Sequence, residues 1–129
     1  MGSVFVIAEH QKGLISDITF EMLGIGKEIA EKTGNELITI LLGNNCRALA
    51  DSFGISNKVL YIDHELLTEV TSDAYIEALT NIFGQYPPEV IFTSSNNLHW
   101  GIGSLLAQKL NFPFIKCFTY DASIASYFL

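Results

Sequence analysis

The chain has 129 residues, with 14 acidic and 7 basic side chains, a formal net charge of -7 and a hydrophobic content of 49%. A chain of this length forms one domain and buries enough apolar surface to fold without disulfides or metals. The acidic balance argues against a general nucleic-acid-binding role, and the apolar content suits a sheet that is covered on both faces. No apolar run approaches the ~20 residues of a membrane span, and no signal peptide precedes the first strand, so we expect a cytoplasmic protein.

The start of the chain predicts a strand followed by a helix. Residues 3–8 are nearly all apolar and indicate a buried strand, which ends on two polar residues, Glu9 and His10. A short turn follows. A helix then begins near Ser16 or Asp17, and its apolar residues recur at helical spacing.

Two further strands follow this first helix, which Gly34 ends. Residues 36–42 predict the second strand. A short helix then runs to Phe53, and residues 58–62 predict the third strand.

The second half of the chain continues the alternation. Thr71 or Ser72 can cap a helix with one apolar stripe, which Gly84 and the following Pro87-Pro88 pair end. The remaining predicted elements are a strand over residues 89–93, a polar loop over 94–97, a helix over 98–110, a strand over 114–119 and a possible sixth strand over 123–128.

Strands that alternate with helices imply right-handed βαβ units. The sequence therefore predicts a single Rossmann-like domain over residues 1–129, a three-layer α/β/α fold with a mainly parallel five-stranded sheet in the order 3-2-1-4-5. This order places its switch point, where ligands bind in open α/β sheets, between the first and fourth strands. The residues expected around that crevice are Glu9, His10, Ser94, Ser95, Asn96, Asn97 and His99.

The pair Glu9 and His10 could act as an acid and a base or contact a ligand. Adjacent strand residues point to opposite faces, which argues against both side chains meeting one substrate atom. In the structural alternative, Glu9 accepts backbone N–H bonds or pairs with a helix terminus, and His10 begins a loop. The histidines and cysteines have no spacing typical of metal ligands. We therefore expect no catalytic residue and no metal site.

The polar loop before the last helix is the candidate anion site. Backbone amides and hydroxyls over residues 93–97 could hold a phosphate at a helix N-terminus. However, the loop has no glycine, which makes close backbone approach to a pyrophosphate harder. The alternative is that Asn96 or Asn97 caps the helix. An adenine nucleotide at this crevice is the second function that we consider.

Four segments carry a resemblance to a known family: the strand end Val6-Ile7-Ala8-Glu9-His10 and residues 16–30, 58–79 and 88–110. In this order they resemble the N-terminal domain of the electron transfer flavoprotein α subunit. The resemblance implies a scaffold or interaction domain linked to flavin-dependent electron transfer, with no catalytic activity of its own. FAD in that family belongs to a C-terminal domain that we expect this chain to lack. No cofactor is therefore expected on this chain, and FAD is implied only through the absent domain.

The turn after the fourth strand departs from the family pattern. The family has a Gly-Arg-Asp-Leu-Ala-Pro type of sequence there. In this chain His99 takes the glycine position, Trp100 the arginine, Gly101 the aspartate and Ser104 the proline. The charged turn of the family therefore cannot act in the same way here.

The C-terminal segment is the predicted interaction surface. Between residues 112 and 129 it holds six aromatic residues, Phe112, Phe114, Phe118, Tyr120, Tyr127 and Phe128. In the resembled family this region leads toward the FAD domain. We expect the apolar tail to form a homodimer or to bind an electron transfer flavoprotein β-type partner. The alternative is that these aromatic residues complete the core of the monomer.

Overall fold

The computed structural model describes residues 2–94 and 101–112, together with the backbone of two C-terminal strands. The strands of the main sheet are β1 (Ser3–Ile7), β2 (Glu36–Gly43), β3 (Lys58–Asp63), β4 (Pro88–Ser94), β5 (Phe114–Phe118) and β6 (Ile124–Phe128). The helices are α1 (Asp17–Thr33), α2 (Ser72–Gln85) and α3 (Ile102–Leu110). Shorter elements are the 3-10 segments Arg47–Phe53 and Glu65–Leu67 and a hairpin of His10–Gln11 with Leu14–Ile15.

The main sheet has the strand order β3-β2-β1-β4-β6-β5. Its first four strands are parallel, and Val6 of β1 lies opposite Thr39 of β2 and Phe92 of β4. This arrangement confirms the Rossmann-like α/β prediction and the partial order 3-2-1-4. It also places the switch point between β1 and β4, because the chain leaves β1 toward β2 and returns from β3 to β4.

The strand next to β4 differs from the predicted order 3-2-1-4-5. The strand that pairs with β4 is β6, and β5 lies outside it. Both pairings of β6 are antiparallel. Only residues 119–123 separate β5 from β6, and a parallel return needs a crossover of a dozen or more residues. The two strands have similar apolar sequences, so the sequence did not indicate which one would take the inner place.

Two apolar cores lie on opposite faces of the sheet. Alternate residues of β1 belong to different cores, since successive side chains of a strand point to opposite faces. The core on the α1 face includes Val4, Val6, Met22, Leu23, Leu37 and Phe92. The core on the α2 and α3 face includes Phe5, Ile7, Ile40, Tyr75, Leu79 and Leu106. Burial on both faces explains why the parallel strands are continuous apolar runs in the sequence.

The helix boundaries agree with the sequence at α1 and differ at α3. The chain leaves α1 at Gly34, which has a φ of 72° and donates its N–H to the carbonyl of Ala30. The last helix begins at Ile102 rather than at residue 98, because Gly101 has a φ of 82°, which is incompatible with a right-handed helix. Among the helices of the described ranges, none has the length and apolar character to cross a membrane.

Candidate functional site

The backbone of Glu9 joins the end of β1 to the start of α1. The Glu9 N–H donates to Oγ1 of Thr19 at 2.9 Å, and the Glu9 carbonyl accepts from that hydroxyl at 3.2 Å. The same carbonyl accepts the N–H of Ser16 at 2.9 Å. Thr19 is fully buried on the inner face of α1. A buried hydroxyl needs such partners, so this threonine fixes the position of α1 against the carboxyl end of β1.

The side chain of Glu9 spans the crevice between β1 and β4. Glu9 is fully buried, and its Oε2 accepts a 2.5 Å hydrogen bond from Oγ of Ser94, the last residue of β4. Ser94 is also buried. The structure thus brings together two of the residues predicted around the crevice. A buried carboxylate is costly unless it accepts hydrogen bonds, so this contact stabilises the joint between the two strands.

The ring of His10 lies on the other side of β1. Its Nε2 is 2.6 Å from the carbonyl of Leu42 in β2, so Nε2 carries a proton and donates. The sequence had placed His10 at the β1–β4 crevice, and the structure corrects this. His10 pairs with Ile15 in the short hairpin, and its side chain is directed away from that of its neighbour Glu9. The two residues therefore face different strands and do not form an acid/base pair.

Thr93, which the sequence placed at the start of the candidate anion loop, lies in β4. It is fully buried next to Ser94, and its Oγ1 has no hydrogen-bond partner among the residues that the structure describes. A buried hydroxyl without a partner is unfavourable by about 1–3 kcal/mol.

A cavity of about 350 Å³ lies beside His10, at the carboxyl ends of β1 and β2. Its lining includes His10, Asn44, Cys46, Leu67, Val70 and Tyr75. Glu9 and Ser94 do not line it. Part of its rim is the hairpin loop Lys12-Gly13, in which both residues have positive φ values, 51° and 79°. This combination is typical of a type I′ turn, which fits the twist of a tight hairpin.

Tyr75 forms part of the cavity wall and is almost fully buried. Burial is the largest cause of a rise in the pKa of its phenol to about 12, and the electrostatic influence of Cys46 and Glu9 contributes to the same rise. The phenol is therefore protonated at neutral pH. Its hydroxyl lies 3.5 Å from the carbonyl of Leu42, the atom that His10 also contacts. The sequence had placed Tyr75 only in the apolar stripe of α2.

The loop after β2 is held by side chains of β3. The Cys46 N–H donates to the hydroxyl of Tyr61 at 3.0 Å, and the Asn45 N–H donates to Oδ1 of Asp63 at 3.0 Å. Burial raises the pKa of the Tyr61 phenol, so it stays protonated at neutral pH. Cys46 is a free thiol. These contacts fix one wall of the cavity.

The other candidate residues lie outside the described part of the chain. Ser95, Asn96, Asn97 and His99 fall within residues 95–100, as does Trp100 of the departing turn. Within the ranges that are described, no group of three or more His, Cys, Asp or Glu side chains could hold a metal ion.

The whole parallel region of the sheet matches one protein family. A family model described as the electron transfer flavoprotein domain matches residues 4–118. The chain belongs to the electron transfer flavoprotein family. The match includes β1 to β4 and all three helices, and it ends with β5.

Curated relatives of the electron transfer flavoprotein family confirm the resemblance to its α subunit. The chain is 34% identical over 111 residues to the electron transfer flavoprotein subunit alpha of Clostridium acetobutylicum. It is 30% identical over 110 residues to both the acryloyl-CoA reductase electron transfer subunit beta of Anaerotignum propionicum and the protein FixB of Clostridium saccharobutylicum. Each match covers 84% of this chain and 33%, 30% and 33% of the relative, respectively. The chain thus spans about a third of the length of these relatives.

Proposed function

We propose that this electron transfer flavoprotein domain is a scaffold and interaction domain in flavin-linked electron transfer, with no catalytic activity of its own. The observation that carries the proposal is the family match over residues 4–118, together with relatives that are named electron transfer subunits. The site geometry supports it. Glu9 hydrogen-bonds with Thr19 through its backbone and with Ser94 through its side chain, and these bonds join β1 to α1 and to β4. These groups therefore stabilise the fold.

The proposed partner is a flavin-bearing, β-type electron transfer flavoprotein subunit. In this proposal FAD is held by a domain other than the one described, and this domain supplies a docking surface. The surface is the apolar tail, whose side chains from residue 113 onward lie outside the described residues. Phe112, the first aromatic residue of the tail, packs against the core on the α2 and α3 face. The interaction is therefore assigned to the residues after it.

The test is sedimentation of the purified chain with and without a β-type subunit of the same organism, followed by flavin absorbance. We expect a complex that carries flavin, and we expect Phe128→Asp in the tail to abolish it. The matched control is Leu66→Asp. Leu66 is 67% exposed and follows β3, at the opposite edge of the sheet from β5. Circular dichroism verifies that both variants fold.

Three outcomes would count against this assignment. A chain that forms neither a complex nor a flavin-bearing species contradicts the scaffold proposal. A complex that survives Phe128→Asp removes the tail from the interface. A homodimer that forms alone and excludes the β-type subunit assigns the tail to self-association.

One observation favours the second function, an adenine nucleotide at the β1–β4 crevice. The buried hydroxyl of Thr93 has no partner among the described residues, and a ligand could supply one. Calorimetry with AMP and with FAD tests this idea on wild type and on Thr93→Val, which keeps the shape of the side chain. AMP binding that weakens by about 1 kcal/mol in the variant supports it. AMP binding that is absent, or equal in both proteins, contradicts it.

A further inference from the structure

The cavity beside His10 has the size of a small-molecule site. Its volume of about 350 Å³ lies at the lower end of the ~300–1,000 Å³ that is usual for ligand pockets. It lies between β1 and β2 at the carboxyl edge of the sheet and is separate from the β1–β4 crevice. A ligand of this size is a single small metabolite, since a dinucleotide needs a longer groove.

One part of the cavity wall is apolar, while Gln11, Asn44 and Thr68 make other parts of the lining polar. Leu67 and Tyr75 are buried, and Val70 and the thiol of Cys46 are half-buried. The polar ring of His10 is engaged with the carbonyl of Leu42. This wall favours an aliphatic or aromatic group of a few carbon atoms, because burial of such a group releases water from apolar surface.

The rim carries one positive and one negative side chain from two separate segments. Lys12 belongs to the hairpin loop, and Glu69 lies between the 3-10 segment Glu65–Leu67 and α2. Both are exposed. In the described part of the chain the ion pairs are Lys32 with Glu28 and Lys58 with Glu36, so neither rim residue is engaged in one there. Each rim charge is available to a charge of opposite sign on a ligand.

The charges at the rim of the cavity indicate which class of ligand fits it. A phosphorylated or otherwise anionic ligand would be attracted by Lys12 but repelled by Glu69 and by the net charge of -7. A simple cation would be repelled by Lys12. A zwitterion satisfies both rim charges at once. From these observations we propose that the cavity binds a free α-amino acid with an apolar side chain, its carboxylate toward Lys12, its ammonium toward Glu69 and its side chain toward Leu67, Val70 and Tyr75.

Calorimetry with leucine and two blocked analogues tests the proposal on the full chain. Leucinamide lacks the carboxylate, and N-acetylleucine lacks the ammonium. We expect leucine to bind and each analogue to bind about tenfold or more weaker, since each loses one charge-assisted contact. Equal binding of all three ligands, or no binding of leucine by calorimetry and no thermal stabilisation by it, overturns the proposal.

Substitution of each rim residue tests which charged group of the ligand that residue contacts. Lys12→Gln should weaken leucine about tenfold while leaving leucinamide unchanged, and Glu69→Gln should weaken leucine while leaving N-acetylleucine unchanged. The matched controls are Lys27→Gln and Glu31→Gln, at exposed positions of α1 that do not line the cavity. Leucine binding that is insensitive to both rim variants overturns the assignment. AMP binding that Lys12→Gln abolishes identifies an anionic ligand instead, and this also overturns it.

Discussion

At the residue scale, buried polar side chains at the carboxyl edge of the sheet lie beside apolar and charged groups. Burial is the largest cause of the raised pKa of the Tyr75 phenol. Glu9, which accepts a hydrogen bond from Ser94, contributes a smaller electrostatic effect in the same direction. The neutral form of Tyr75 is therefore strongly favoured in the folded state. The consequence is a dependence of stability on pH in the alkaline range.

We expect the free energy of unfolding to fall between pH 10 and pH 12 in a manner that depends on Tyr75. The pKa of this phenol is about 12 in the folded protein and 10.0 in the unfolded chain, so the unfolded chain loses the proton first. Stability from this difference is fully present below pH 10 and is lost as pH rises through about 12, by an amount on the order of 2 kcal/mol. Urea unfolding below pH 10 and near pH 12 measures the loss.

The variant Tyr75→Phe isolates this effect, since it cannot ionise at that position. Its loss of stability over the same pH range should be smaller than that of wild type. Tyr86→Phe is the control, because Tyr86 is 41% exposed and should leave the loss unchanged. Equal losses in wild type and Tyr75→Phe would show that the phenol is not responsible.

At the element scale, α1 packs on the sheet through a glycine. A Cβ at Gly26 would lie 3.0 Å from Cδ1 of Leu37 and 3.3 Å from Cγ2 of Val6, both buried core residues. Gly24, on the same helix, has no atom within 4 Å of the corresponding position and is exposed. The same residue type therefore has two different roles in one helix.

We predict opposite effects for alanine at these two positions. Gly24→Ala should raise the free energy of unfolding by about 0.5–1 kcal/mol, because alanine has the better helix propensity. Gly26→Ala gains the same propensity but crowds the core, and overpacking costs about 1–3 kcal/mol, so we expect a net loss of about 1 kcal/mol. Urea unfolding of both variants measures the difference. Stabilisation by both substitutions would mean that α1 can move away from the sheet without cost.

At the scale of the whole molecule, the C-terminal strands complete the sheet. The backbone of β6 pairs with β4 from Ile91 to Ser94, next to the β1–β4 crevice, and β5 forms the outer edge. The segment predicted as an interface is therefore also part of the fold. Its backbone role is visible in the sheet, while its proposed role in partner binding rests on side chains outside the described residues.

We predict that truncation after Phe112 destabilises the protein and promotes association. Removal of β5 and β6 leaves the hydrogen-bonding groups of β4 on an open, apolar edge strand, which is prone to pair with other chains. The loss in the free energy of unfolding should exceed the ~1 kcal/mol of an average point substitution. Urea unfolding measures this loss, and sedimentation velocity over a concentration series measures association. A truncated chain that is monomeric and as stable as wild type would contradict this role for the two strands.

The sequence by itself determined the main strands and helices, the order 3-2-1-4 of the parallel strands and the family. It also placed Glu9 and Ser94 at one crevice. These features follow from side-chain periods of 2 and 3.6 residues and from the handedness of βαβ units, which are local or nearly local properties.

The tertiary structure alone decided which groups meet. Ser94 bonds a residue 85 positions away, His10 turns to β2 rather than β4, Tyr75 lines a cavity as well as a core, and β6 takes the place expected for β5. These outcomes depend on the direction in which a side chain points and on which strands pair with each other. Both are set by packing between distant segments, because apolar runs of equal character leave several pairings open until the sheet assembles.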